Sequence, residues 1–121
     1  AKRSDVERMI TVAGNLDINA FVNYHGVTPM EGSLNPLNYV KKVKNIPQLH
    51  LVGGLDKAVP KLVSDSYMAA VNAVGQKCSK REVYENNGHY EGWLTAWPQI
   101  LKKTIGKYKL SINNVLKSFN L

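Results

Sequence analysis

Gln48-Leu49-His50-Leu51-Val52-Gly53-Gly54-Leu55-Asp56-Lys57-Ala58-Val59-Pro60 is the stretch whose reading decides the fold. Its first five residues put apolar side chains on both faces of an extended chain, and Gly53-Gly54 stops them. That pattern reads as a short strand buried on both sides. Pro60 suits the first turn of a helix, and Leu62, Val63, Tyr67, Ala70, Val71 and Val74 recur at three- and four-residue spacing until Gly75. After a basic turn, Glu82-Val83-Tyr84-Glu85 reads as a second strand, closed by Asn86-Asn87-Gly88. Strand, helix, strand is a βαβ unit, which normally belongs to a parallel sheet with helices on its faces.

Upstream, Met9-Ile10-Thr11-Val12-Ala13 ends at Gly14-Asn15 and reads as one more short strand. From Asp17 to Asn45 the sequence is irregular and aromatic, punctuated by Gly26, Pro29, Gly32 and Pro36, with a short helix expected only over Leu37–Lys44. Residues 18–45 are thus expected to form a long lid-like connection of the kind that often carries function. Downstream, a helix is expected from Glu91 to about Tyr108, with Trp93 and Trp97 one turn apart and Pro98 kinking or restarting it. Residues 109–121 read as a short tail helix built on Leu110, Ile112, Val115, Leu116 and Phe119. The expectation is a single α/β domain over residues 1–121: three layers, with a short parallel sheet of about three strands and flanking helices.

The 121 residues are 44% hydrophobic and 21% charged, with two Trp and six Tyr, the composition of a folded chain and not of a disordered tail. No apolar run approaches the roughly 20 residues that span a bilayer, so no transmembrane segment is expected. The first residues, Ala1-Lys2-Arg3-Ser4-Asp5, carry no apolar run behind their basic pair and do not read as a signal peptide. The net charge of +7 is spread over weak clusters, Lys41/Lys42/Lys44, Lys77/Lys80/Arg81 and Lys102/Lys103/Lys107/Lys109. They read as solvated surface, and no nucleic-acid partner is expected. Cys78 is the only cysteine, which excludes an internal disulfide and a multi-cysteine zinc site. His89-Tyr90-Glu91 has no P-C-x-x-C partner and no H-x-x-x-H occurs, so neither metal nor cofactor is expected.

In open parallel sheets, reactive groups collect just beyond the carboxyl ends of the strands. That rule selects Asn15 and Asp17 after the first strand, Asp56 after the second and His89 after the third. A carboxylate bonded to one imidazole nitrogen fixes the tautomer and stabilises the imidazolium formed when the other nitrogen takes a proton. Against that chemistry stand plainer roles: Asp56 as a turn or cap residue, His89 as a loop histidine, Asp17 as a cap. His25, on the lid-like connection, is a candidate substrate-binding residue. His50 reads as a packed sheet residue, Trp93 and Trp97 as helix packing, and Glu91 as a solvent-facing carboxylate in a first helical turn.

The turn Gly53-Gly54-Leu55-Asp56-Lys57-Ala58-Val59-Pro60 and the later Gly88-His89-Tyr90-Glu91-Gly92-Trp93 resemble the acid loop and histidine loop of the α/β-hydrolase family. His89 follows Asp56 by 33 residues, about what one helix and one strand require. The resemblance spans roughly Asp5 to Leu101 and implies that the strands correspond to the family's sixth, seventh and eighth. It implies Asp56 as triad acid and His89 as triad base, with Asp17 the alternative acid because some members carry that carboxylate after the sixth strand. The family's G-x-S-x-G elbow is not among these residues: none of Ser4, Ser33, Ser64, Ser66, Ser79, Ser111 and Ser118 lies between paired glycines, nor does Cys78. The resemblance therefore implies the C-terminal part of a serine hydrolase acting on carboxylic esters or related acyl substrates, with no nucleophile of its own and inactive alone. The alternative is a non-catalytic small α/β binding domain with a basic surface. Apart from an ester-like small molecule and the rest of a parent chain, the partner expected is a second copy, paired through the unprotected edge of the first strand.

Overall fold

The centre of the sheet is strand β2 (Gln48–Gly53), of which every residue but Leu49 is buried. In this computed structural model, which describes residues 3–106, strand β1 (Met9–Val12) pairs with one side of β2 and strand β3 (Ser79–Tyr84) with the other. Both pairings are parallel. Met9 stands opposite Gln48 and Val12 opposite Leu51, while Gln48 and Gly53 stand opposite Ser79 and Tyr84. Parallel neighbours need long crossovers. The first carries helix α1 (Ile18–His25) and a 3-10 turn over Pro36–Tyr39, the second helix α2 (Lys61–Ala73). Helix α3 (Trp93–Gly106) follows β3, completing a small α/β architecture of three parallel strands and three helices. The tail helix expected over 109–121 lies outside the described residues.

The elements differ from expectation in three places. β3 begins at Ser79, three residues before the expected Glu82, because Lys80 and Arg81 complete the ladder opposite Leu49 and His50 although neither favours strands. Within the expected irregular connection, α1 forms because both of its ends are closed. Asp17 Oδ1 accepts from the Asn19 and Ala20 amides, and Gly26, at φ 61°, returns its amide to the Val22 carbonyl. The short helix expected over Leu37–Lys44 is only the 3-10 turn at Pro36–Tyr39, capped by Asn35.

Within the described residues the chain divides after His89 into two compact units. The first holds the sheet, α1 and α2. Its core joins Tyr67 and Val71 of α2 to Leu16 and Val40 of the first crossover, with Leu37, Ala70 and Val74 packed around them. A polar network lies under that core. His50 of β2 is fully buried; its Nε2 donates to Gln48 Oε1 at 3.0 Å and its Nδ1 accepts from the Thr11 hydroxyl at 2.7 Å. Tyr67 donates its hydroxyl to the same Gln48 oxygen at 3.0 Å, so β1, β2 and α2 share one chain of hydrogen bonds. Burial pushes the His50 imidazole down to about 4, which keeps it neutral. Among the described residues no strand pairs with the outer edge of β1.

The second unit contains α3, which runs through Pro98 without ending. Trp93 and Ile100 are buried, whereas Trp97, also expected to pack, is 37% exposed. Among the described residues no helix is long and apolar enough to cross a membrane.

Candidate active site

Two turns, one leaving β2 and one leaving β3, meet at the carboxyl end of the sheet. The ladder continues into them: Gly54 N donates to Tyr84 O at 2.8 Å and Leu55 N to Asn87 O at 3.0 Å. Glycine is required for so close an approach. A Cβ on Gly53 would lie 2.5 Å from the carbonyl oxygens of Asn87 and Gly88, and one on Gly54 would lie 2.7 Å from Glu85 Cα. The Gly53-Gly54 pair therefore both ends the strand and lets the two turns touch backbone to backbone.

Asp56 sits in the first turn with its side chain fully buried. Its Oδ1 accepts from the amides of Ala58 and Val59, at 2.9 and 2.8 Å, and its Oδ2 is 2.9 Å from Nδ1 of His89. The two sequence readings of Asp56, turn residue and histidine partner, thus use different oxygens of one carboxylate. An ionised carboxylate only accepts, so the proton between the two side chains belongs on His89 Nδ1, and Nε2 is left as the basic nitrogen. The His89 side chain is 26% exposed against 0% for Asp56. A buried, doubly anchored acid behind a partly accessible imidazole is an arrangement able to accept a proton at Nε2 and to stabilise the resulting imidazolium.

Asp17, the alternative acid, is engaged elsewhere. Besides capping α1 it accepts from Ser66 Oγ of α2 at 2.6 Å and from Asn35 Nδ2 at 3.4 Å. Its burial disfavours the charged form, but the hydrogen bonds from Ser66, Ala20, Asn35 and Asn19 outweigh it and hold the carboxyl below its ordinary value. Ser66, excluded as a nucleophile by its sequence context, and Asn35 are thus partners of Asp17 that the strand-end rule does not select. Asn35 carries the readable signal, since it precedes Pro36 and its Oδ1 accepts from the Leu37 and Ile18 amides. Nothing local marks Ser66, which meets Asp17 across 49 residues.

His25, the candidate substrate-binding residue, ends α1 with its ring against Phe21 and Tyr24, and its Nε2 donates to the Ala58 carbonyl at 2.8 Å. It therefore touches the acid turn itself. A cavity of about 500 Å³ lies apart from both turns, lined among others by Met9, Thr11, Leu16, Tyr39 and Tyr67. None of its lining residues comes from 53–59 or 84–89. Among the described residues no group of three or more His, Cys, Asp or Glu side chains is disposed to hold a metal ion.

No family model matches the sequence, and no curated protein matches it at a significant level.

Proposed function

We propose that Asp56 and His89 are the acid and base of a hydrolase triad, in the C-terminal part of an α/β-hydrolase that acts on carboxylic esters or related acyl compounds. The observation that carries this reading is the bond from His89 Nδ1 to Asp56 Oδ2 at 2.9 Å, with the other carboxylate oxygen held by two amides. A carboxylate so restrained cannot swing away when the imidazole changes charge, which is what an orienting acid must do.

On this reading the attacking serine belongs to residues outside these 121. His89 Nε2 takes the serine proton as the hydroxyl oxygen bonds to the ester carbonyl carbon. It then returns that proton to the departing alcohol as the tetrahedral adduct collapses to an acyl-enzyme. Water attacks the acyl carbon by the same route, with His89 again accepting and then returning a proton, and releases the carboxylic acid. Asp56 stays ionised throughout and balances the transient imidazolium.

The test is hydrolysis of short p-nitrophenyl esters by the complete protein in which these residues occur. His89→Ala and Asp56→Asn are each expected to lower kcat by about 10³- to 10⁴-fold. Asp17→Asn is expected to remain within a fewfold of the parent. Unchanged turnover in His89→Ala ends the assignment, and a large loss confined to Asp17→Asn transfers the acid role to that residue. No turnover at all by the parent favours the non-catalytic binding domain.

A further inference from the structure

We propose that His25 is a positioning residue for the acid–base pair, acting on Asp56 and His89 through the single peptide unit between Ala58 and Val59. The inference rests on the reading of Asp56 and His89 as a functional pair and adds a third member to it.

The argument is one of connectivity. His25 Nε2 donates to the carbonyl oxygen of Ala58 at 2.8 Å. The amide on the other side of that same peptide bond, Val59 N–H, donates to Asp56 Oδ1 at 2.8 Å. Asp56 Oδ2 in turn accepts from His89 Nδ1 at 2.9 Å. Hydrogen bonds therefore run from one imidazole through a peptide to Asp56 Oδ1, and the carboxylate accepts at its other oxygen from the second imidazole. A peptide whose oxygen accepts a hydrogen bond becomes a better donor at its nitrogen, because accepting shifts its resonance toward the charge-separated form. That strengthening, roughly 10–30% per bond, ends at the carboxylate, so what passes on to His89 is the fixed placement of the two Asp56 oxygens. His25 thus makes Val59 a firmer anchor for Oδ1, which holds Oδ2 on the His89 side.

The ring is itself held for this task. Phe21 and Tyr24 flank it at centroid distances of 4.6 and 4.9 Å, and the Gly26 cap turns the chain away just beyond it. Through His25 the far end of α1 rests on the acid turn, 33 residues away in sequence. The long connection is consequently joined to the reactive pair by a bond to its backbone.

Two substitutions separate the hydrogen bond from the packing. His25→Phe keeps an aromatic ring beside Phe21 and Tyr24 but has no donor, whereas His25→Gln keeps a donor. Both are to be read in the full chain by 15N NMR of the histidine rings and by amide hydrogen exchange, with the buried His50 ring as internal reference for an intact sheet. In His25→Phe the Val59 amide is expected to exchange about threefold to tenfold faster and the minor Nε2–H tautomer of His89 to rise at least about twofold, as loss of one weak hydrogen bond implies. Leu51 and Val52 exchange and the His50 signals should stay as in the parent, and His25→Gln should restore most of the difference. Unchanged Val59 exchange and His89 signals in His25→Phe overturn the proposal, and so does a change that His25→Gln fails to restore. An altered His50 spectrum in both variants also overturns it, since His25 would then act on the fold at large. Because none of these readings needs turnover, absence of esterase activity in the parent would sink the hydrolase reading without deciding this one.

Discussion

Replacing Gly53 with alanine is expected to pull Asp56 and His89 apart. The backbone at Gly53 lies outside the left-handed region, so alanine meets no torsional obstacle there, and only space decides the outcome. The added Cβ would lie 2.5 Å from both the Asn87 and Gly88 oxygens, where ordinary contacts begin near 3.4 Å, so the histidine turn must retreat by about 0.9 Å. A retreat of that size along the bonds would stretch Leu55 N to Asn87 O from 3.0 Å, and His89 Nδ1 to Asp56 Oδ2 from 2.9 Å, to nearly 4 Å, beyond hydrogen-bonding range. Overpacking costs about 1–3 kcal/mol and each of the two hydrogen bonds lost about 1 kcal/mol, giving a destabilisation of about 3–5 kcal/mol. Urea unfolding of Gly53→Ala against Gly14→Ala measures it, because a Cβ at Gly14 meets Thr11 Cβ only at 3.4 Å and should change stability by less than about 0.5 kcal/mol. The 15N signals of His89 in the same samples report whether the imidazole has lost its fixed tautomer. Equal stability of the two variants with an unaltered His89 spectrum would refute the claim that the turns touch as closely as described.

Asp17→Ala removes the α1 cap and the acceptor for Ser66, and is expected to cost about 2–3 kcal/mol in denaturant unfolding at neutral pH. Because its carboxyl is held below the ordinary 3.8, the stability it contributes is full above that value and lost as pH falls below it, so the gap between parent and variant should close in acid. A gap that does not depend on pH would mean that the charge is unimportant. His50 has the same sign with a wider window. Its imidazole is neutral in the fold down to about 4 but takes a proton near 6.5 once unfolded, so stability should be full above 6.5 and fall by up to about 3 kcal/mol toward pH 4. Equal slopes of stability against pH for the parent and His50→Gln between 6.5 and 4 would contradict the buried neutral histidine.

The parts of the fold legible in the sequence were those set by periodicity and by punctuation. The run Gln48–Val52 and the spacing of Val63, Tyr67 and Val71 fixed β2 and the inner face of α2, and both match the observed elements closely. α1 is poorly marked in the sequence because Asn19, Val22, Asn23 and Tyr24 are weak helix formers, although Asp17 and Gly26 are readable caps. The start of β3 was hidden for a different reason: Ser79-Lys80-Arg81 becomes strand through the ladder that β2 offers it. At the site, the rule that groups gather beyond the strand ends brought Asp56 and His89 forward as candidates, and they lie 2.9 Å apart. The same rule selected Asp17, whose attachment to Ser66 depends on how α1 meets α2 and has no local trace. The bond from His25 to Ala58 is equally a product of tertiary structure.

The closeness permitted by Gly53 and Gly54 also bears on how the pair can move. Asp56 and His89 stand on turns stitched to neighbouring strands and packed backbone to backbone at Gly53. Sliding or hinging one turn against the other would have to unzip the end of the β2–β3 ladder, so the two residues travel as one stiff body. On the proposed hydrolase reading, accommodation of a substrate would have to come from whatever approaches His89 and from the longer connections around it, while the spacing of Asp56 and His89 stays constant from one encounter to the next.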